Sequence, residues 1–129
     1  YDIHTGHGFT QHLYIADANG GAKVVEWHKD EMKVVDSPVC TNFRLSAKGL
    51  QGDFSGQCER FDLLDGSLKE QPENTAEDCM ELLEAVKQEY PQTNTYTEWS
   101  VVFHLTDFTV DYAVNMDYDM VYHLTPKDF

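Results

Sequence analysis

Hydrophobic positions alternate with polar ones in several short runs of this chain. In FTQHLYIAD, from Phe9 to Asp17, Leu13 and Ile15 share one face and His12 and Tyr14 the other, which is the period of a strand. The next residues, Asp17 to Gly21 (DANGG), carry the Asn-Gly chemistry of a tight hairpin turn. The return run AKVVEWH, Ala22 to His28, sets Val25 and Trp27 opposite Val24 and Glu26. A polar KDE turn leads into MKVVD, the third strand of an antiparallel meander, and Ser37-Pro38 ends it because proline has no N–H for the ladder. Val39 to Phe43 reads as a short further strand and Ser46 to Gly56 as a loop. Residues 1 to 8, YDIHTGHG, have no periodicity and read as an irregular segment.

The period then changes. From Cys58 onward Phe61, Leu64 and Leu68 recur at i, i+3 and i+7, a helical spacing that Gly66 weakens. Past Pro72, Thr75 and Asp78 form an acidic variant of the capping box. Ala76, Cys79, Met80, Leu83 and Val86 make one apolar stripe, read as core, before Tyr90-Pro91 stops the helix. Thr97 to Leu105 and Thr109 to Asn115 alternate around Thr106-Asp107-Phe108 as a second hairpin, and Met120 to Leu124 is a last strand. Strands, helices and strands in that order predict an α+β layered domain rather than a parallel βαβ fold. No repeat or linker-like segment divides it, so residues 1–129 read as a single domain.

A content of 41% hydrophobic residues in 129 is enough for a core. The formal net charge of -14 repels phosphate backbones and anionic lipid, and no apolar run approaches the roughly 20 residues of a membrane span. Nucleic acid and membrane are therefore excluded as partners. The chain begins at Tyr1 with neither Met nor a signal-like segment, and so reads as a processed product or a piece of a longer chain. Cys40, Cys58 and Cys79 lack any CxxC pair, which argues against a disulfide framework or zinc ribbon. Reduced thiols favour the cytoplasm over a secreted or periplasmic location.

Candidate chemistry is sparse. His4, His7 and His12 fit neither HExxH nor a finger, so no metal or cofactor is expected. His28, His104 and His123 fall on strands, where a half-buried, hydrogen-bonded histidine is the ordinary outcome. The sequence DYD at 117–119 lacks the glycine and final glutamate of a calcium loop, and the acids read as a solvated face. There is no GxSxG elbow, and no cysteine has a basic residue next to it, so nothing reads as a nucleophile.

Both arginines, Arg44 and Arg60, lie within Val39 to Phe61. Asn42 stands near the first, at a predicted strand end, and Arg60 opens a predicted helix. A fixed side-chain amide can donate to a developing oxyanion, a contact worth about 3 kcal/mol or more in a dry site. A guanidinium beside it can orient a carboxylate or hold a thiol ionised. Spacing alone leaves the alternative open, an Asn that caps a turn and an Arg that pairs with a nearby acid.

In these segments the chain resembles the linear-amide C–N hydrolases, which include choloylglycine hydrolases, penicillin V acylases and penicillin-forming acyltransferases. HLYIADANGGAKVVEW is similar to the family's first hairpin, VCTNF to its Thr-Asn strand end, GDFSGQCERF to its Ser-rich loop leading into Arg-Phe, and TEWSVVFHLTDFTVDYAV to its late hairpin. The resemblance implies part of an αββα four-layer sandwich with antiparallel sheets, the N-terminal-nucleophile hydrolase fold, and places this chain in its carboxy-terminal portion. It implies hydrolysis of a small-molecule N-acyl amide, with Asn42 as the oxyanion-binding asparagine and Arg60 as the arginine that sets the electrostatics around a nucleophilic cysteine. Asp17 takes a structural place in the hairpin. Residue 1 is Tyr, so the nucleophile is expected from an upstream segment or companion chain, and this chain alone is expected to be inactive. Phe43-Arg44 follows the Thr-Asn where bile salt hydrolases continue into Asn-Pro, which leaves the acyl substrate open. A reading from another class is a non-catalytic binding or structural module that keeps the sandwich. Sheet edges left without their partner strands would invite association, including homo-oligomers.

Overall fold

The computed structural model describes residues 12–28, 31–48 and 54–128. Among these residues the fold is α+β, with antiparallel sheets and two α-helices. The chain divides into two compact units, 1–66 and 67–129, with the boundary inside the first helix.

In the first unit, β1 (Leu13–Ala16), β2 (Ala22–His28) and β3 (Glu31–Val35) form an antiparallel sheet in the order β1-β2-β3. Tyr14 lies opposite Val24 and Val24 opposite Val35, while Leu13, Val25 and Val34 line up on the other face, as the alternation predicts. On one face Val24, Glu26 and Val35 are buried and Tyr14 at the edge is exposed; on the other Val25 is buried at the centre, whereas Leu13, Ile15, Met32 and Val34 around it are exposed. The β1–β2 connection is the DANGG turn. Asp17 Oδ1 accepts from the N–H of Asn19 at 2.7 Å and of Gly21 at 3.2 Å, and Gly20 takes the left-handed φ of +85° that a side chain would disfavour.

The segment after β3 departs from expectation: Val39 to Phe43 is not a strand. Ser37 Oγ donates to the Val39 carbonyl at 2.7 Å and accepts from its N–H at 3.3 Å, so both of that residue's main-chain groups are used locally instead of in a ladder. The Tyr14 hydroxyl donates to the Pro38 carbonyl at 2.9 Å and fixes the turn against the sheet. A single 3-10 turn, Leu45–Lys48, follows where the sequence reads as loop. Its opening N–H groups are capped from β2: Leu45 N–H donates to Glu26 Oε1 at 2.9 Å and Ser46 N–H to Glu26 Oε2 at 2.8 Å. His12 Nδ1 lies 2.6 Å from Glu26 Oε1. Burial alone would raise the Glu26 pKa, but the hydrogen bonds from Ser46, Leu45 and His12 outweigh it and hold the carboxyl below its ordinary value.

The helix α1 (Glu59–Glu70) begins where predicted and tolerates Gly66, around which no atom lies within 4 Å of the missing Cβ position. It buries Phe61, whose ring meets Phe43 edge-on at 5.2 Å and Phe54 at 6.1 Å.

In the second unit, α2 (Ala76–Ala85) has the predicted capping box. Asp78 N–H donates to Thr75 Oγ1 at 3.1 Å and Thr75 N–H to Asp78 Oδ2 at 2.8 Å. Within the apolar stripe Met80 is buried and Ala76, Cys79, Leu83 and Val86 are half-buried. The helix stops at Ala85, earlier than Tyr90-Pro91, because residues 89–90 are drawn into a small hairpin of β4 (Glu89–Tyr90) with β5 (Thr95–Tyr96). The late strands β6 (Trp99–His104), β7 (Thr109–Val114) and β8 (Tyr122–Leu124) pair in that order, and α2 packs on β6. Asp111 on β7 binds a histidine on each neighbouring strand, His104 Nε2 at 2.8 Å and His123 Nδ1 at 2.6 Å. Of these two histidines, His104 is half-buried and hydrogen-bonded as expected on a strand, whereas His123, bonded to the same Asp111, is exposed.

Two substitutions test these contacts. Glu26→Gln sets an NH₂ group against a main-chain N–H and is expected to cost about 2–3 kcal/mol in chemical denaturation. Because the native Glu26 pKa is depressed, its contribution is complete above the unfolded carboxyl value and fades as pH falls through the lower native one. The acid limb of the stability curve should therefore flatten in the variant. Phe108, 76% exposed in the β6–β7 turn, has a left-handed φ of +60°. Phe108→Asn, a residue that tolerates this conformation, should raise stability by about 0.5–1 kcal/mol, read as an upward shift in Tm.

Candidate functional site

Asn42 and Arg60 meet. Arg60 Nη2 donates to Asn42 Oδ1 at 2.8 Å, across 18 residues of chain. Two adjacent aromatic residues bring them together: Phe43 follows Asn42, Phe61 follows Arg60, and the two rings pack edge to face. Burying Phe61 in the first unit therefore carries Arg60 to the loop that holds Asn42. Asn42 lies on a bend rather than a strand end, since the strand predicted there is absent.

The bond also fixes the direction of the amide. A guanidinium has only donors, so it must face the oxygen of Asn42, which turns Nδ2 and its two N–H donors away from Arg60. Asn42 is exposed and Arg60 half-buried, so the pair stands at the surface of its unit. Arg44, the other arginine, is used differently: its Nη1 lies 3.1 Å from His28 Nδ1 at the end of β2.

The loop is held from below. Glu26 grips Leu45 and Ser46 on one side of Asn42, and Val39, Thr41 and Leu45 are buried. The Thr41 hydroxyl and the Ser46 hydroxyl have no hydrogen-bond partner in their buried positions.

Cys58 was not anticipated as part of this group. It stands immediately before α1, and its carbonyl accepts the Asp62 N–H at 3.0 Å. Burial works against its thiolate, but the N–H groups of Phe61 and Arg60 at the start of α1 and the Arg60 charge outweigh burial and bring the thiol below its ordinary value. The other two cysteines go the opposite way. Burial and the Glu26 charge push Cys40 up to about 11, and burial and the Asp78 charge raise Cys79. The sequence did contain the signal, an arginine two residues after Cys58 at a predicted helix start, although the two are not adjacent.

The remaining candidates separate from this site. Among the described residues no group of three or more His, Cys, Asp or Glu side chains is placed to hold a metal ion. His4 and His7 lie outside the described residues, and His12 is engaged by Glu26. A cavity of about 560 Å³ in the second unit is lined by α2, by Asp111 and by the turn before β8, and contains none of Asn42, Cys58 and Arg60. Its carboxylates, from Glu77, Glu81, Glu84, Asp111 and Asp119, make it a negative surface without a nucleophile. The bond from His123, burial, and the bond from His104 act on Asp111 in that order of size, and together they leave its carboxyl below the ordinary value, as befits an anchor between strands.

No protein-family model, no curated protein and no solved structure matches this chain.

Proposed function

We propose that residues 1–129 are the later part of an amidase that hydrolyses the linear C–N bond of a small N-acyl substrate by way of a cysteine nucleophile contributed from outside them. The observation that carries this reading is the 2.8 Å bond between Arg60 and Asn42, two residues that the resemblance to linear-amide C–N hydrolases assigns to one site. In this reading Asn42 Nδ2 donates to the oxygen of the scissile carbonyl as it becomes an oxyanion. Arg60 holds the amide in that orientation and adds positive potential where a thiolate attacks. An amide that is oriented beforehand loses little on reorganisation as charge develops, which is why such donors act chiefly on the rate of the chemical step.

The first sheet supports the larger architecture. Leu13, Ile15, Met32 and Val34 are exposed around a buried Val25 on one face of β1–β3, and a second sheet packed about 10 Å away would cover them, as the four-layer αββα sandwich requires.

The test uses the protein together with its upstream segment or companion chain, assayed for release of amine from N-acyl amides. Asn42→Ala is expected to lower kcat by about a hundredfold or more with little change in KM. Asn42→Asp keeps an acceptor for Arg60 but replaces the donor with a negative charge, and should lower kcat at least as far while preserving the fold by circular dichroism. Full turnover in either variant removes Asn42 from the oxyanion role. Absence of amide hydrolysis in the complete protein favours the non-catalytic module instead.

A further inference from the structure

The cavity in the second unit is distinguished by more than its charge. Its volume of about 560 Å³ is that of a small-molecule site, for which about 300–1,000 Å³ is usual. Met80, which is buried, and Val121 give it an apolar lining, and the ring of Tyr118 forms part of its wall. That ring is held in place, since the Tyr118 hydroxyl lies 2.9 Å from Oγ of the buried Ser100 on β6. A second observation is independent of the cavity's size and of its acids as a group. The Lys87 ammonium lies over the Tyr118 ring, 5.4 Å from its centre, and donates to Glu84 Oε1 at 2.9 Å. Tyr118 and Glu84 both line the cavity, and Lys87 does not. At its rim the wall therefore seats one primary ammonium between a carboxylate and an aromatic face.

We propose that this cavity binds a small primary amine with an apolar body, whose ammonium displaces that of Lys87 from Glu84 and Tyr118 while the body lies against Met80 and Val121. The displacement costs little. Lys87 and Glu84 are 40% and 47% exposed, and an exposed pair of that kind contributes little to stability. The incoming amine makes the same two contacts and also takes apolar surface out of water, which the lysine at the rim does not. Asp111 is spent on His104 and His123, whereas Glu77, Glu81 and Asp119 make no hydrogen bond or ion pair among the described residues. The cavity thus keeps a negative potential after one cation is seated, which selects a cationic ligand over a merely apolar one and excludes an anion. The site lies in the second unit alone, so the proposal stands apart from the amidase reading.

The test titrates the full-length protein with three probes of one shape: tryptamine, tryptophol, in which a hydroxyl replaces the ammonium, and the anion indole-3-propionate. At neutral pH and low salt, calorimetry should show tryptamine binding at least about tenfold more tightly than tryptophol and no binding of the anion, with the tryptamine affinity falling in high salt. Lys87→Met removes the competing ammonium and should tighten tryptamine binding several-fold. Lys127→Met makes the same change in net charge near the end of the chain and should leave the affinity as it was. Tyr118→Leu should weaken tryptamine several-fold, and Tyr118→Phe, which keeps the ring, should not. Should Tyr118→Leu fail to fold, Lys87→Met, at an exposed position, still decides the matter. Equal affinity for tryptamine and tryptophol, a Lys87→Met protein that binds tryptamine no more tightly than the parent, or an equal gain in Lys127→Met overturns the proposal.

Discussion

The buried carboxylate of Glu26 is the constraint on which the first unit depends. A charge that is only 1% exposed is tolerated where its acceptor capacity is used, and here two main-chain N–H groups and a histidine use it. The same three bonds tie β2 to the residue before β1 and to the start of the 3-10 turn. The irregular segment between β3 and that turn is therefore anchored at its far end by Glu26 and at its near end by Ser37 and Tyr14. A loop of non-repeating conformation needs such anchors, because it has no ladder of its own to set its geometry.

Aromatic packing completes what the carboxylate begins. Glu26 fixes where Leu45 and Ser46 lie, but it does not reach α1. The edge-to-face contact of Phe43 with Phe61 does so, and the Arg60–Asn42 bond rides on it. Arginine is scarce in this chain, so a guanidinium bonded to a neutral amide rather than to one of 23 acids is a specific arrangement. An exposed ion pair would contribute little to stability. A bond to an amide oxygen contributes no more, yet it fixes which end of the amide faces out.

Much of the fold was legible because its signals are local. Alternation gave β1 to β3 and β6 to β8, the Thr75–Asp78 spacing gave the cap of α2, and Phe61, Leu64 and Leu68 gave α1 in spite of Gly66. The errors fell where short-range hydrogen bonds compete with the hydrophobic pattern. Val39 to Phe43 alternates like a strand, but the Ser37 hydroxyl takes the Val39 groups a ladder would need. The end of α2 was read from Tyr90-Pro91, whereas Tyr90 pairs with Thr95 across a turn that propensity does not reveal. Of the site, residue types and order pointed to Asn42 and Arg60, and the structure brings them together. Cys58 was passed over because its charge partner, Arg60, stands two residues on rather than adjacent.

Arg60 thereby stands beside two groups with different demands, and its chemistry can meet both. A guanidinium carries five N–H donors in a plane, and Asn42 occupies one of them. The effect on Cys58 is of another kind, since a charge acts over distance and requires no shared hydrogen. Orientation of the amide and stabilisation of a thiolate are therefore not exclusive uses of the same side chain. Lysine would serve them unequally. Its point charge would still favour ionised sulfur, but without a planar fork it would hold the Asn42 oxygen less rigidly, and the direction of the outward N–H groups would be lost first.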